Sequence, residues 1–215
     1  MLAIKPANMT YEEAAAVPVG GTEALCFLRQ GNTQSGRKVL INGAGGTIGS
    51  FAVQLAKYYG AEVTAVDSTN KLDMLRSIGA DHVIDYTQED FTKGDQRYDL
   101  VLDVVAYRSI FANQRTLAPG GTFVYVGGSS SAIFQALLLA PLISKNSDKK
   151  MGIVPWKPND KGDLEFLTEL FEAGKITPVI DKRYPLSEVP EAFRYLEGGH
   201  AKGKIVINVT QNSNN

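Results

Sequence analysis

Three features of the chain predict an α/β fold built on a doubly wound parallel sheet. Apolar runs with little polar alternation recur, such as Lys38-Val39-Leu40-Ile41-Asn42 and Tyr98-Asp99-Leu100-Val101-Leu102-Asp103-Val104-Val105. Helical stretches separate them, and a glycine-rich turn joins the first run directly to its helix. Strands that are apolar throughout need cover on both faces, which helices above and below a parallel sheet supply. Right-handed crossovers then wind the sheet in two directions.

The elements follow in order. Thr10 with Glu13 three residues on is a capping-box pattern, so a short helix begins there. Pro18 and the pair Gly20-Gly21 are expected to close it, leaving a second helix over 22–30 before Gly31. A strand over 38–42, a tight turn over 43–49 and an apolar helix over 50–59 come next. Strands are predicted at 62–67, 82–85, 98–105 and 122–126, with helices at 70–78 and 109–116 between them. The last third is less regular. An apolar helix over 131–144, a sixth strand at 150–154 and a helix over 164–173 precede an extended run at 178–183. A helix over 187–196 and a strand over 203–209 follow, and the polar tail 211–215 is expected to be disordered.

Composition narrows the class. With 44% hydrophobic and 21% charged residues in 215, the chain can bury a real core as one large domain, or one domain with an appendage. A net charge of −1 gives no pull toward nucleic acid or an anionic membrane. The longest apolar stretch, residues 132–143, is interrupted by Gln135 and Pro141 and falls short of the roughly 20 residues a membrane span requires. The opening Met1-Leu2-Ala3-Ile4-Lys5-Pro6 has neither the apolar core nor the cleavage site of a signal peptide. A single cysteine, Cys26, excludes an internal disulfide, so a cytoplasmic location is expected.

The chemistry concentrates at Gly43-Ala44-Gly45-Gly46-Thr47-Ile48-Gly49. Between a strand and a helix, glycines permit a tight turn, let backbone approach a pyrophosphate, and let helix and sheet pack closely. The helix N-terminus adds free N–H groups and a partial positive charge. Asp67, closing the second strand, stands where an acid accepts hydrogen bonds from adenosine ribose and repels a 2′-phosphate. That favours NAD over NADP slightly, because Ser68, Thr69 and Lys71 follow directly and are suited to a phosphate. Asp67 also reads as a helix cap, and the loop as a purely structural turn. No P-loop pattern occurs, and none of the nine tyrosines has lysine four residues later, as short-chain dehydrogenases require. An adenosylmethionine-binding methyltransferase and a non-catalytic dinucleotide-binding module (sensor or structural) remain as alternatives.

The segments Ala14-Ala15-Ala16-Val17-Pro18-Val19-Gly20-Gly21-Thr22-Glu23-Ala24-Leu25 and 38–49 resemble zinc-independent, quinone oxidoreductase-like members of the medium-chain dehydrogenase/reductase family. So do Ile78-Gly79-Ala80-Asp81-His82-Val83-Ile84-Asp85-Tyr86, Leu117-Ala118-Pro119-Gly120-Gly121 and Gly203-Lys204-Ile205-Val206, in the same order. The resemblance implies a Rossmann fold and an NAD(P)-dependent oxidoreductase that passes hydride between nicotinamide and a quinone, an enone or a small carbonyl or alcohol. It implies a pyrophosphate loop at Gly43, Gly46, Thr47, Ile48 and Gly49, and an adenosine-ribose site at Asp67, Ser68 and Lys71. Tyr86 would touch the adenosine end. Val104, Val105, Val126, Gly127 and Gly128 would line the nicotinamide, with Thr22 nearby. Ala106 stands where the family usually has glycine.

The same resemblance implies that most of a GroES-like catalytic domain lies outside this chain, and that the fragment alone is inactive. Residues 1–20 would be its lead-in segment, 21–155 the dinucleotide-binding domain, and 156–210 helices and strands returning to it, ahead of the 211–215 tail. Strands at 178–184 and 204–209 would then be poorly paired or re-paired. No zinc ligand is present in Val17-Pro18-Val19, where zinc-dependent members carry a cysteine. Cys26 reads as core, and His82 and His200 as structural or exposed. No catalytic acid is identifiable. A homodimer through the sheet edge near 150–154, with residues 132–143 helping to cover it, is a further expectation.

Overall fold

The computed structural model describes residues 3–155 and 161–209, so the expected tail and residues 156–160 lie outside the described part. Helix α1 (Tyr11–Ala16) opens with the expected capping box: Thr10 Oγ1 accepts from Glu13 N–H, and the Glu13 carboxylate accepts from Thr10 N–H. Helix α2 spans Pro18–Gln30 rather than starting at Thr22. Pro18 opens it, as its fixed φ and missing N–H permit. Gly20 and Gly21 lie inside it because two helices cross there. A methyl on Gly20 would come within 2.3 Å of Thr47 Cγ2, and one on Gly21 within 3.1 Å of Leu167.

Strand β1 (Lys38–Asn42), helix α3 (Thr47–Tyr58), strand β2 (Glu62–Asp67), helix α4 (Leu72–Ser77) and strand β3 (His82–Asp85) form the first half of the sheet. Strand β4 (Tyr98–Asp103), helix α5 (Ile110–Arg115), strand β5 (Leu117–Tyr125), helix α6 (Ser130–Asn146) and strand β6 (Lys150–Ile153) form the second. The order is β3-β2-β1-β4-β5-β6, all parallel. Strand β5 begins at Leu117 and takes in the expected turn at 119–121, where its register against β4 shifts between Tyr98 and Leu100.

The period-two alternation of the strands decides which face each residue covers. Val39, Ile41, Leu100 and Leu102 face the side of α2 and α3, with Leu28, Phe51 and Leu55. Leu40, Val101, Phe123 and Tyr125 face the opposite side, with Ile110 and Ala132, Ala136 and Ala140 of α6. Helix α7 (Lys161–Glu172) joins the first core through Leu167, Leu170 and Phe171.

Strands β7 (Ile180–Pro185) and β8 (Lys204–Asn208) pair with each other, parallel, as a separate two-stranded sheet. Helix α8 (Val189–Glu197) connects them, burying Ala192. No helix among the described residues is long and apolar enough to cross a membrane.

Candidate functional site

Strand order reverses at β1, whose neighbours β2 and β4 lead away in opposite directions, and α/β sheets open a crevice at such a point beyond the carboxyl ends of their strands. A cleft of about 360 Å³ opens there. Gly43, Gly46, Asp67, Ser68, Lys71, Tyr86, Val104 and Val105 line it, together with Asn42, Tyr107 and Gly199.

The glycine loop has the form its position demands. Gly43 adopts φ 78°, and a methyl there would lie 2.9 Å from Val105 Cγ2. The N–H groups of Gly43 and Ala44 both donate to Val66 O, at 3.0 and 3.1 Å, anchoring the turn to β2. A methyl on Gly49 would stand 2.4 Å from Gly43 O, so only glycine lets α3 close onto the loop. Gly46, by contrast, is not closed by the protein: a methyl there would sit in ordinary contact, 3.6 Å from Gly43 O. It is the N-cap of α3, and no side chain caps that end. An uncapped helix N-terminus beside a glycine that the protein does not close fits an anionic diphosphate. Ile48 packs its side chain into the core, leaving only its backbone at the helix start.

The structure engages Asp67 within the protein. Its Oδ2 accepts from Gly45 N–H at 2.7 Å, and its Oδ1 accepts from Ser68 N–H at 2.8 Å and from the Ser68 hydroxyl at 3.3 Å. The Lys71 ammonium lies 3.4 Å from Oδ1, with both side chains under a tenth exposed. The acid thus ties the loop to β2 and forms a near-neutral pair, rather than standing free toward the cleft.

The carboxyl ends of β4 and β5 interlock below the other side of the cleft. Val126 N–H donates to Asp103 O and Ala106 N–H to Gly127 O, each at 2.9 Å. A methyl on Gly128 would lie 2.1 Å from Ala106 O, so 126–128 abut 103–106 without lining the cleft itself. The methyl of Ala106 is fully buried in the second core, so it does not project toward a ligand. Thr22 is likewise buried in α2, its hydroxyl donating to Pro18 O at 2.5 Å. Thr47 faces away as well: its hydroxyl donates to Gly203 O at 2.8 Å, while Gly203 N–H donates to Gly45 O at 2.8 Å. The segment before β8 therefore clasps the loop.

Beneath the cleft, Asp103 is fully buried. Its Oδ1 accepts from Asn42 Nδ2 at 2.7 Å, while Oδ2 has no partner among the described residues. Burial pushes its carboxyl up to about 6, against the opposing hydrogen bonds of Asn42 and Val105 N–H and the charge of Arg108.

Sequence does not mark Asn42, Tyr107 or Gly199 as site residues, and marks Gly203 only as part of the resemblance at 203–206. A polar residue ending the apolar run of β1 and an aromatic just past β4 were local signals for the first two; only the fold brings the glycines in. Elsewhere, Cys26 is partly buried on α2, and His82 is exposed 3.1 Å from Glu62. Among the described residues, no three His, Cys, Asp or Glu side chains gather as a metal site.

Residues 78–207 match a family model described as zinc-binding dehydrogenase. The chain is 35% identical over 211 residues to 2-methylene-furan-3-one reductase of Solanum lycopersicum, covering 96% of this chain and 49% of that protein. It is 34% identical over 212 residues to the chloroplastic NADPH-dependent alkenal/one oxidoreductase of Arabidopsis thaliana, covering 96% and 50%. The chain thus spans about half the length of these curated relatives. Among solved structures, the quinone oxidoreductase from Coxiella burnetii superposes with a TM-score of 0.85 at 28% identity, over 97% of this chain and 64% of that one.

Proposed function

Because the chain belongs to the zinc-binding dehydrogenase family, within the medium-chain dehydrogenases/reductases, we propose that it is the dinucleotide-binding part of an NAD(P)H-dependent oxidoreductase reducing enones, quinones or related small carbonyl compounds. The observation that carries this reading is the uncapped N-terminus of α3 behind Gly46, which the protein does not close, while Gly49 is closed. A purely structural turn would not require glycine at a position that admits a methyl in ordinary contact.

When bound, the nicotinamide supplies hydride transfer. The chain's own residues bind and orient: the start of α3 faces the diphosphate, Ser68 and Lys71 the adenosine ribose, and Val104 and Val105 give an apolar wall. Helix α6 and the turn before it would supply one side of a substrate pocket. The absence of any ligand side chain in Val17-Pro18-Val19 supports a zinc-independent reaction. The internal bonding of Asp67 moves the cofactor preference from NADH toward NADPH, since its oxygens already accept from Gly45 and Ser68 and its charge is offset by Lys71.

Parallel calorimetric titrations with NADPH, NADH and adenosylmethionine test this. NADPH is expected to bind first, and Gly46→Ala to weaken it by at least about ten-fold, or 1.4 kcal/mol, with an unchanged melting temperature. Adenosylmethionine binding in preference to both dinucleotides would sink the reading.

The reading extends to a homodimer along β6, the edge strand, which among the described residues pairs only with β5. Phe134 (62% exposed), Leu137 (61%) and Leu142 (56%) of helix α6, which packs beside β6, add exposed apolar surface near that edge. Sedimentation velocity at rising concentration should show dimer; monomer throughout removes the idea.

A further inference from the structure

Among the described residues, three buried side-chain polar atoms have no hydrogen-bond partner in the protein: Asp103 Oδ2, Arg108 Nε and Asn113 Oδ1. All three belong to one layer, between the sheet and helices α5 and α6. Asp103 and Tyr125 stand opposite each other in register on β4 and β5, so their side chains leave the sheet on the same face. Asn113, fully buried on α5, donates from Nδ2 to the Tyr125 hydroxyl at 3.1 Å. Turning that amide over would exchange its two heads and still leave one of them free. Arg108 precedes α5 and lies 5.2 Å from the centre of the Phe91 ring, in the same core. Its Nη1 is engaged by Asp90 and its Nη2 by the Tyr107 hydroxyl, which leaves the buried Nε. Burial is the main reason that the Asp103 carboxyl and the Tyr125 hydroxyl are both raised. The charge of Arg108 also acts on the first and that of Asp103 on the second, so the groups lie within electrostatic reach of one another.

We infer that these atoms form an internal site for one bound water molecule, which accepts from Arg108 Nε and donates to Asp103 Oδ2 and Asn113 Oδ1. One donor and two acceptors are the complement that a water satisfies with its own two hydrogens and a lone pair. Buried waters typically make about three such bonds, whereas purely apolar cavities stay dry. The alternative, a direct pair between Arg108 and Asp103, would require the guanidinium to give up Asp90 and Tyr107. Each orphaned atom would otherwise bear the full cost of its desolvation. The site also has a mechanical role. Asp103 Oδ1 accepts from Asn42 Nδ2 at 2.7 Å, and Asn42 lines the cleft, so a water holding the other oxygen braces the cleft floor from inside the protein. No ligand in the cleft is needed for this, and the inference stands apart from the dinucleotide reading.

Two measurements on the whole chain test the site. A high-resolution crystal structure of the wild type should show one enclosed water within about 3.2 Å of all three atoms. A dry layer, or a guanidinium that has left Asp90 to bond Asp103 directly, overturns the inference. In solution, Asp103→Leu and Asn113→Leu are combined in a double-mutant cycle read by urea denaturation. The structure gives these two side chains no direct bond, so without the water their effects on the unfolding constant should simply multiply. With it, whichever substitution comes second finds the water already lost. The double variant should then be less destabilised than the product predicts, by at least about three-fold. Independent effects overturn the inference. The cycle is repeated with Tyr125→Phe as background, where coupling that vanishes would have run through the tyrosine hydroxyl and overturns it too. If either leucine variant fails to fold, the crystal structure decides alone.

Discussion

The six-stranded sheet and the β7–β8 pair are both parallel, yet they are stabilised by different means. Every central strand of the large sheet is buried on both faces, and Val39, Leu40, Ile41, Leu100, Val101 and Leu102 have no exposed surface. In the small sheet only Val206 is buried, and Phe193 and Leu196 of the covering helix α8 are 60% and 53% exposed. The pair is tied down from its ends instead. Glu12 of α1 accepts from Arg183 Nε and from Asn208 Nδ2, each at 3.0 Å, and Gly203 clasps the glycine loop. Hydrophobic burial thus shapes the large sheet, whereas a few polar contacts position the small one, and those of Gly203 end on the loop of the candidate site.

The largest expected effect follows from that contrast. Leu102→Ala, in a strand flanked by β1 and β5, should lower stability by about 2–5 kcal/mol, as cavities in closed cores do. Ile207→Ala in β8, beside an open groove with Phe193, Leu196 and Ile205, should lower it by less than about 1 kcal/mol. Urea denaturation of both variants measures the difference. Equal losses would mean that the pair is packed as tightly as the sheet, and that the contrast in exposure has no energetic weight.

The same contrast explains what can be read from sequence. Strands covered on both faces announce themselves as apolar runs, so β1 to β4 are legible to within two residues of their ends. The glycine loop is legible because its demands are local: a positive φ at Gly43 and a helix start directly after it. Gly20 and Gly21 read locally as a helix stop, wrongly, because what requires them, Thr47 and Leu167, lies on other helices. Gly199 reaches the cleft only through tertiary structure. Asp67 is visible as an acid after β2, but its bond from Gly45 N–H is set by how the loop folds back. The mutual pairing of β7 and β8 follows no local pattern, since residues far apart in the chain must first be brought together by α8.

A smaller and pH-dependent effect separates the two regions again. Asp181, in the small sheet, accepts from the Tyr195 hydroxyl at 2.8 Å and from Lys202 N–H at 3.0 Å while keeping contact with water. Asp103, which ends β4 of the large sheet, is fully buried with no partner for Oδ2 among the described residues, and burial pushes its carboxyl up to about 6. An acid whose pKa is raised by folding binds a proton more tightly in the native state than in the unfolded chain. Its stabilising contribution is therefore complete below the unfolded value of about 3.9 and is lost as pH rises through 6. At neutral pH the lost contribution is on the order of 3 kcal/mol or less, given water penetration and relaxation around the charge. Asp103→Asn keeps an oxygen and an amide beside Asn42 but cannot ionise. The stability of this variant relative to wild type should therefore rise between about pH 4 and pH 6 and level off above it. Four carboxylates nearer solvent, Asp81, Asp85, Asp90 and Glu12 (held down by hydrogen bonds from Arg183 and Asn208), act in the opposite sense at lower pH and are common to both proteins. Hydrogen bonds from Thr69 and Thr87 hold Asp85 below its ordinary value. At Asp81 and Asp90 burial pushes upward, but hydrogen bonds and nearby cations together outweigh it and leave both lowered. Parallel slopes for variant and wild type across that window would show that Asp103 is already neutralised by Arg108, and that the floor of the cleft carries no buried charge cost.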